Sequence, residues 1–306
     1  MSNTREIKRR IKSIQSTQKI TKAMEMVAAA KMRKAVDQVL ISRHYSNIAW
    51  EIIQKIATSE VQHKHPLLRE IKNVKKVAIL TIASNRGLCG GFNSNLFKTA
   101  LAACQKLSAN QIEFEFITFG KQIAAEIRKK NLNIVADFAK PDLLQNITTV
   151  SPIAHILLDG FISKKYQQVL LVYTDFQSSL KQTPVVKQLL PLKTTADQDL
   201  GVVGPQSTKK SYSQTPADTH EIIEYKFEPS PAHVLDEILP RILEIQVYQA
   251  VLESDASEHS ARMMAMKNAH TAATDVIDSL TLAYNQARQA AITQEIAEIV
   301  AGANAI

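Results

Sequence analysis

Glycine and proline are missing from long stretches at both ends of this 306-residue chain, Gly302 apart. The first proline is Pro66, the first glycine is Gly87, and neither type stands between Arg241 and Ala301. These residues are the strongest breakers of regular structure, so each end can run as one long helix. At 1.5 Å per residue, about 55–60 helical residues span roughly 80–90 Å, more than the width of a small domain. Aromatic residues make up only 6% of the chain, which suits helices packed at close range. Only two cysteines are present, Cys89 and Cys104. They offer no metal-ligand spacing and no disulfide framework, and they point to a reducing compartment. No apolar run approaches the ~18 residues that would suggest a membrane-spanning helix. The N-terminus is polar and basic, without the apolar stretch of a secretory signal. It runs into the first helix without a break, which predicts a mature start and no transit peptide.

The charge that is present is unevenly placed. The chain carries a formal net charge of +8 and a sequence pI of about 9.3. Residues 1–43 hold eleven basic side chains against Glu6, Glu25 and Asp37, an excess equal to that of the whole chain. A segment so basic is expected to meet something acidic: nucleic acid, anionic lipid or an acidic protein surface.

Apolar spacing predicts the elements. Ile7, Ile11, Ile14, Ile20, Met24 and Val27 recur at helical intervals, as do Ile48, Ile52 and Ile56. Gln18 and Thr21 read as polar interruptions, where the stripe leaves a tight seam. A second stripe begins after Pro229-Ser230-Pro231 and runs through Ile238, Ile242, Ile245 and Leu252 to Ile277, Leu280 and Tyr284. Pro240 is expected to kink it. Pairing the two ends as an antiparallel coiled coil buries both stripes. The predicted organisation is an N-terminal coiled-coil helix over 1–60, an α/β domain over 74–228 and a C-terminal coiled-coil helix over 232–301. The domain alternates strands (Val77–Ala83, Phe114–Phe119, Ile134–Phe138, Val169–Thr174) with helices (Phe92–Leu107, Lys121–Lys130, Pro152–Lys165). That alternation predicts a Rossmann-like, largely parallel sheet. Pro184–Leu190 and Ile222–Phe227 read as further strands, and the polar stretch 194–220 as a mobile loop.

No segment carries the pattern of a catalytic centre. Arg86-Gly87-Leu88-Cys89-Gly90-Gly91 follows a strand and opens a helix, where phosphate loops sit. Its G-x-x-G-G spacing matches neither nucleotide fingerprint, and no lysine follows. A tight structural turn using Arg86, Gly87, Gly90 and Gly91 explains it better than a cofactor site. The histidines lack zinc-helix spacing, and no G-x-S-x-G elbow occurs. The carboxylates read as solvated helix surface. No catalytic residue, metal or cofactor is expected. The basic first helix keeps nucleic-acid binding open as an alternative, although no aromatic residue precedes Tyr45.

Three segments then carry a resemblance. Residues 11–35 read IKSIQSTQKITKAMEMVAAAKMRKA, residues 86–93 read RGLCGGFN, and residues 261–269 read ARMMAMKNA, followed by YNQARQAAITQEI at 284–296. Together, and in this order, they resemble the gamma subunits of bacterial F-type ATP synthases. The resemblance implies a non-catalytic central-stalk subunit, peripheral on the cytoplasmic face of the bacterial inner membrane. Its partners would be the alpha and beta subunits of the catalytic head, the epsilon subunit and the c-ring. It would couple proton-driven rotation of that ring to ATP synthesis.

Residue by residue, the resemblance places Met24, Lys31 and Arg33 near the head's acidic loops. It places Arg262, Gln289 and Thr293 on the facing part of the second helix and at the upper contact. Two features depart from the family pattern: Asn85 stands where an aspartate often precedes Arg-Gly-Leu-Cys-Gly-Gly, and the polar stretch at 194–220 is longer. The two cysteines do not match the paired-cysteine insert of chloroplast relatives, so no thiol switch is expected.

Overall fold

The structure is a computed structural model that describes residues 4–56, 65–69, 71, 73–144, 146–192 and 230–304. The elements in chain order are α1 (Thr4–Ile56), β1 (Lys76–Ile82), α2 (Phe92–Ala109), β2 (Glu113–Phe119), α3 (Lys121–Lys129) and β3 (Ile134–Phe138). They continue as a 3₁₀ turn (Ile147–Thr149), α4 (Ser151–Ile162), β4 (Gln168–Phe176), β5 (Gln182–Leu190) and α5 (Pro231–Asn304). The expected strand Ile222–Phe227 and the loop 194–220 lie outside the described residues. Pro240 falls inside α5 without ending it. It is the tenth residue of the helix, so it has no N–H to give the carbonyl of Asp236 one turn earlier.

The chain divides into two compact units, one of residues 1–28 with 262–306 and the other of residues 29–261. In the first, the outer stretches of α1 and α5 pack as an antiparallel pair. The buried and half-buried positions of this stretch of α1 include Ile7, Ile11, Ile14, Gln18, Thr21, Glu25 and Ala28. In α5 they include Met266, His270, Ala273, Ile277, Leu280, Tyr284 and Ala287. Both sets alternate steps of four and three, the heptad spacing of a coiled-coil seam. Gln18 and Thr21, expected to interrupt the stripe, instead lie in it. Gln18 Nε2 donates to Thr274 Oγ1 at 2.8 Å, and His270 Nδ1 lies 3.2 Å from the Gln18 carbonyl. Thr21 turns its hydroxyl back to the Gln18 carbonyl at 2.9 Å. A polar residue enters the seam because its hydrogen bonds are satisfied there.

The second unit is built on a five-stranded sheet in the order β3-β2-β1-β4-β5. β1 pairs in parallel with β2 and β4, β2 pairs in parallel with β3, and β5 runs antiparallel to β4. β1 shows why a central strand reads as a continuous apolar run. Val77 and Ile79 face α2 and α3 through Leu96, Ala100, Cys104, Ile123 and Ile127. Ala78, Leu80 and Ile82 face the opposite layer, where α4 and α5 supply Ile153, Leu157, Phe161, Leu239, Leu243 and Val247. Gly160 permits this packing, since a Cβ there would sit 2.6 Å from the Tyr166 ring.

Candidate functional site

The outer helix pair presents a large unpartnered surface. Lys8, Arg9, Lys12 and Lys19 are exposed along α1. Ile20, Met26 and Val27 are more than half exposed. In α5 every residue from Arg288 to Ala301 is exposed. Ile292, Ile296, Ile299 and Val300 lie at i, i+4, i+7 and i+8, an apolar stripe that none of the described residues covers. Exposed apolar groups arranged on one helical face mark a surface that another molecule covers.

The six expected contact residues divide between the units. In the first, Met24 and Arg262 are half-buried, while Gln289 and Thr293 are exposed a turn apart. The Thr293 hydroxyl donates back to the Gln289 carbonyl at 3.0 Å, leaving the Gln289 side chain to project. In the second unit, Arg33 is exposed, whereas the Lys31 ammonium lies 3.2 Å from Asp142.

The glycine-containing loop leaves the end of β1 and opens α2. Gly90 adopts φ +56°, which glycine takes readily. The other left-handed residue is Leu88, at φ +63°, with 64% of its surface exposed. Gly91 precedes α2 with φ −82°, and Gly87 has open space where a side chain would go. Arg86 Nη1 stands 3.6 Å from Asp142. Cys89 is buried, with Asn93 Nδ2 at 3.3 Å from its sulfur. Burial pushes the second thiol, Cys104, up to about 11, so it stays protonated.

In a doubly wound sheet the ligand crevice opens beyond the carboxyl ends of the strands, where the strand order reverses. Here the reversal falls between β1 and β4, and α5 fills the space. Ser254 Oγ donates to the Ile82 carbonyl at the end of β1 (3.5 Å), and Ser257 Oγ to the Thr174 carbonyl near the end of β4 (3.2 Å). From Gln249 to Ser260 every α5 residue is buried.

This turn corrects the expectation that the carboxylates are solvated helix surface. Asp255, Glu258 and His259 share one face of α5, at i, i+3 and i+4. Lys140 enters between the two acids: its Nζ is 2.5 Å from Asp255 Oδ1 and 2.6 Å from Glu258 Oε2. The Leu144 N–H donates to Asp255 Oδ2 at 3.2 Å, and His259 Nε2 lies 3.0 Å from the Asp142 carbonyl. Burial opposes the Lys140 charge, yet the two carboxylates push its pKa up. Asp255 is the acid whose pKa is raised. Burial pushes it up to about 6, Glu258 adds to the shift, and Lys140 pulls the other way. Lys31, and then Arg86, hold the exposed Asp142 below its usual range. No spacing in the sequence signals the Lys140 pair, because its partners stand 115 and 118 positions away.

Comparison with known proteins fits both units. The family model described as ATP synthase matches residues 3–306. The ATP synthase gamma chain of Coxiella burnetii (strain CbuG_Q212) is 40% identical over 307 residues, with 100% of both chains covered. That of Pelotomaculum thermopropionicum is 42% identical over 306 residues, again with 100% of both covered. A chain of the Euglena gracilis mitochondrial ATP synthase (OSCP/F1/c-ring, rotational state 3) superposes with a TM-score of 0.65 at 17% identity, covering 99% of this chain and 94% of its own length. A chain of the Tetrahymena thermophila enzyme's central stalk and c-ring gives a TM-score of 0.59 at 23% identity, covering 82% of this chain and 99% of that one. The fold is thus that of ATP synthase central stalks. The chain belongs to the ATP synthase gamma-chain family.

Proposed function

We propose that this protein is the central shaft of a proton-translocating F-type ATP synthase. It carries rotation from the c-ring to an alpha–beta catalytic head and takes no part in the chemistry itself. The observation that carries this reading is the outer helix pair, closed along a heptad seam yet basic and apolar on its outer surface. Two paired helices resist twisting and bending far better than one. The apolar stripe at Ile292–Val300 suits a bearing, since dispersion and hydrophobic contacts have no preferred angle. The basic face of α1 suits acidic loops, because screened charges act at about 8–10 Å without locking one orientation.

In this reading residues 1–60 and 232–301 form the shaft and 74–228 the body beside the epsilon subunit and c-ring. Met24, Lys31, Arg33, Arg262, Gln289 and Thr293 are the candidate contacts with the head. Membrane attachment is indirect, on the cytoplasmic face of a bacterial inner membrane. Among the described residues no helix is long and apolar enough to cross a membrane. Nucleic-acid binding finds no support in the family match or the relatives.

The test is co-purification. An affinity tag on this chain should recover two larger nucleotide-binding subunits in three copies each, with ATPase activity. A monodisperse monomer that ignores both subunits contradicts the proposal.

A further inference from the structure

The buried turn of α5 is bonded in three directions at once. Ser254 and Ser257 hold it to the carboxyl ends of β1 and β4. Ser260 Oγ donates to the Ser179 carbonyl in the β4–β5 connection at 2.6 Å, and Gln182 Nε2 lies 3.3 Å from the same hydroxyl. Asp255, Glu258 and His259 hold it to the segment 140–144.

That segment is anchored in turn. Asn85 Nδ2 donates to the Lys140 carbonyl, and Asn85 Oδ1 accepts from the Lys121 N–H at the start of α3 (3.1 Å). Asp142 reaches Lys31 on α1. The helices α1, α3 and α5 are therefore all tied to the segment around Lys140, directly or through Asn85. Elsewhere these helices contact the sheet through Leu, Ile and Val, and such contacts are non-directional. A buried ion cluster is different, because desolvated charges with fixed hydrogen-bond geometry resist displacement strongly. It is a poor source of net stability, since apolar residues of equal volume often do as well. Its placement at a joint where Ser254 and Ser257 already fix α5 to the ends of β1 and β4 therefore points to a role in holding geometry.

We propose that Lys140, clamped between Asp255 and Glu258, is a positioning residue for energy coupling. It makes the α5 turn and the α/β sandwich of this unit move as one under load, so that twist is transmitted and not lost as slip. The inference rests on the shaft reading. Proton pumping by the unmodified complex tests that reading separately.

The experiment measures ATP hydrolysis and ATP-driven proton pumping in inverted vesicles carrying the complete complex. Lys140→Met alone strands two buried carboxylates, so the decisive variant is the triple Lys140→Met/Asp255→Asn/Glu258→Gln, which keeps volume and removes the charges together. The triple variant should assemble and hydrolyse ATP, but pump several-fold fewer protons per ATP. Lys140→Arg should restore most of the ratio. An unchanged ratio in the triple variant overturns the proposal. Failure of the triple variant to assemble overturns it equally, by making the cluster a requirement of folding.

Discussion

Met24 sits half-buried on the flank of the α1 seam, between Lys22 and the seam residue Glu25. A cation placed there adds charge to a surface that is already basic. Met24→Lys should leave assembly and hydrolysis largely intact and lower ATP-driven proton pumping about tenfold, equivalent to ~1.4 kcal/mol on the rotational barrier. Unchanged pumping in vesicles would remove Met24 from the contact surface. Asp255 gives a pH-dependent expectation. Its native pKa, about 6, lies above its ordinary value of 3.8. The folded chain therefore binds this proton more tightly than the unfolded chain. The contribution to stability is complete below pH 3.8 and is lost as the pH rises through 6. Asp255→Asn lacks that loss, so its melting temperature relative to the native chain should rise between pH 5 and pH 8. A difference that stays flat across this window would mean that Lys140 keeps the carboxylate at its ordinary pKa. Neither acid was legible beforehand as a buried group. Leu252-Glu253-Ser254-Asp255-Ala256 looks like the wet side of a helix, and only tertiary packing encloses it.

At the scale of elements, the absence of glycine and proline sufficed to predict both long helices. Strand–helix alternation sufficed for the sheet, because a strand covered on both faces reads as an uninterrupted apolar run. The seam was less legible. Gln18, Thr21 and His270 are polar, and periodicity scores them as breaks, yet Gln18 and His270 bond across the pair and Thr21 bonds back to the Gln18 carbonyl. The left-handed residue Leu88 was equally hidden, since positive φ is normally sought at glycine. The seam itself is open to test. Ala273 is 9% exposed, and a carboxylate there has no designed partner. Ala273→Asp should lower the stability of the helix pair by about 2–4 kcal/mol, read from helical circular dichroism on heating. A wild-type melt would show that the pair is not closed at this layer.

Across the whole molecule, different parts of the proposed shaft do different work. In the proposed shaft, the exposed apolar stripe near the end of α5 serves as a bearing and the load falls on other contacts. Removing residues 303–306 should therefore leave assembly and coupling close to wild type in membrane preparations. Loss of assembly would instead make those residues a docking element. Motion of the chain relative to the head is the central claim. Cys89 and Cys104 are both buried, so a single cysteine introduced at exposed Lys98 on α2 offers a selective attachment point. With the head fixed to glass and a bead on residue 98, ATP should drive continuous rotation of the bead in one direction. A bead that stays still, or only fluctuates, while the same complexes hydrolyse ATP would contradict the account.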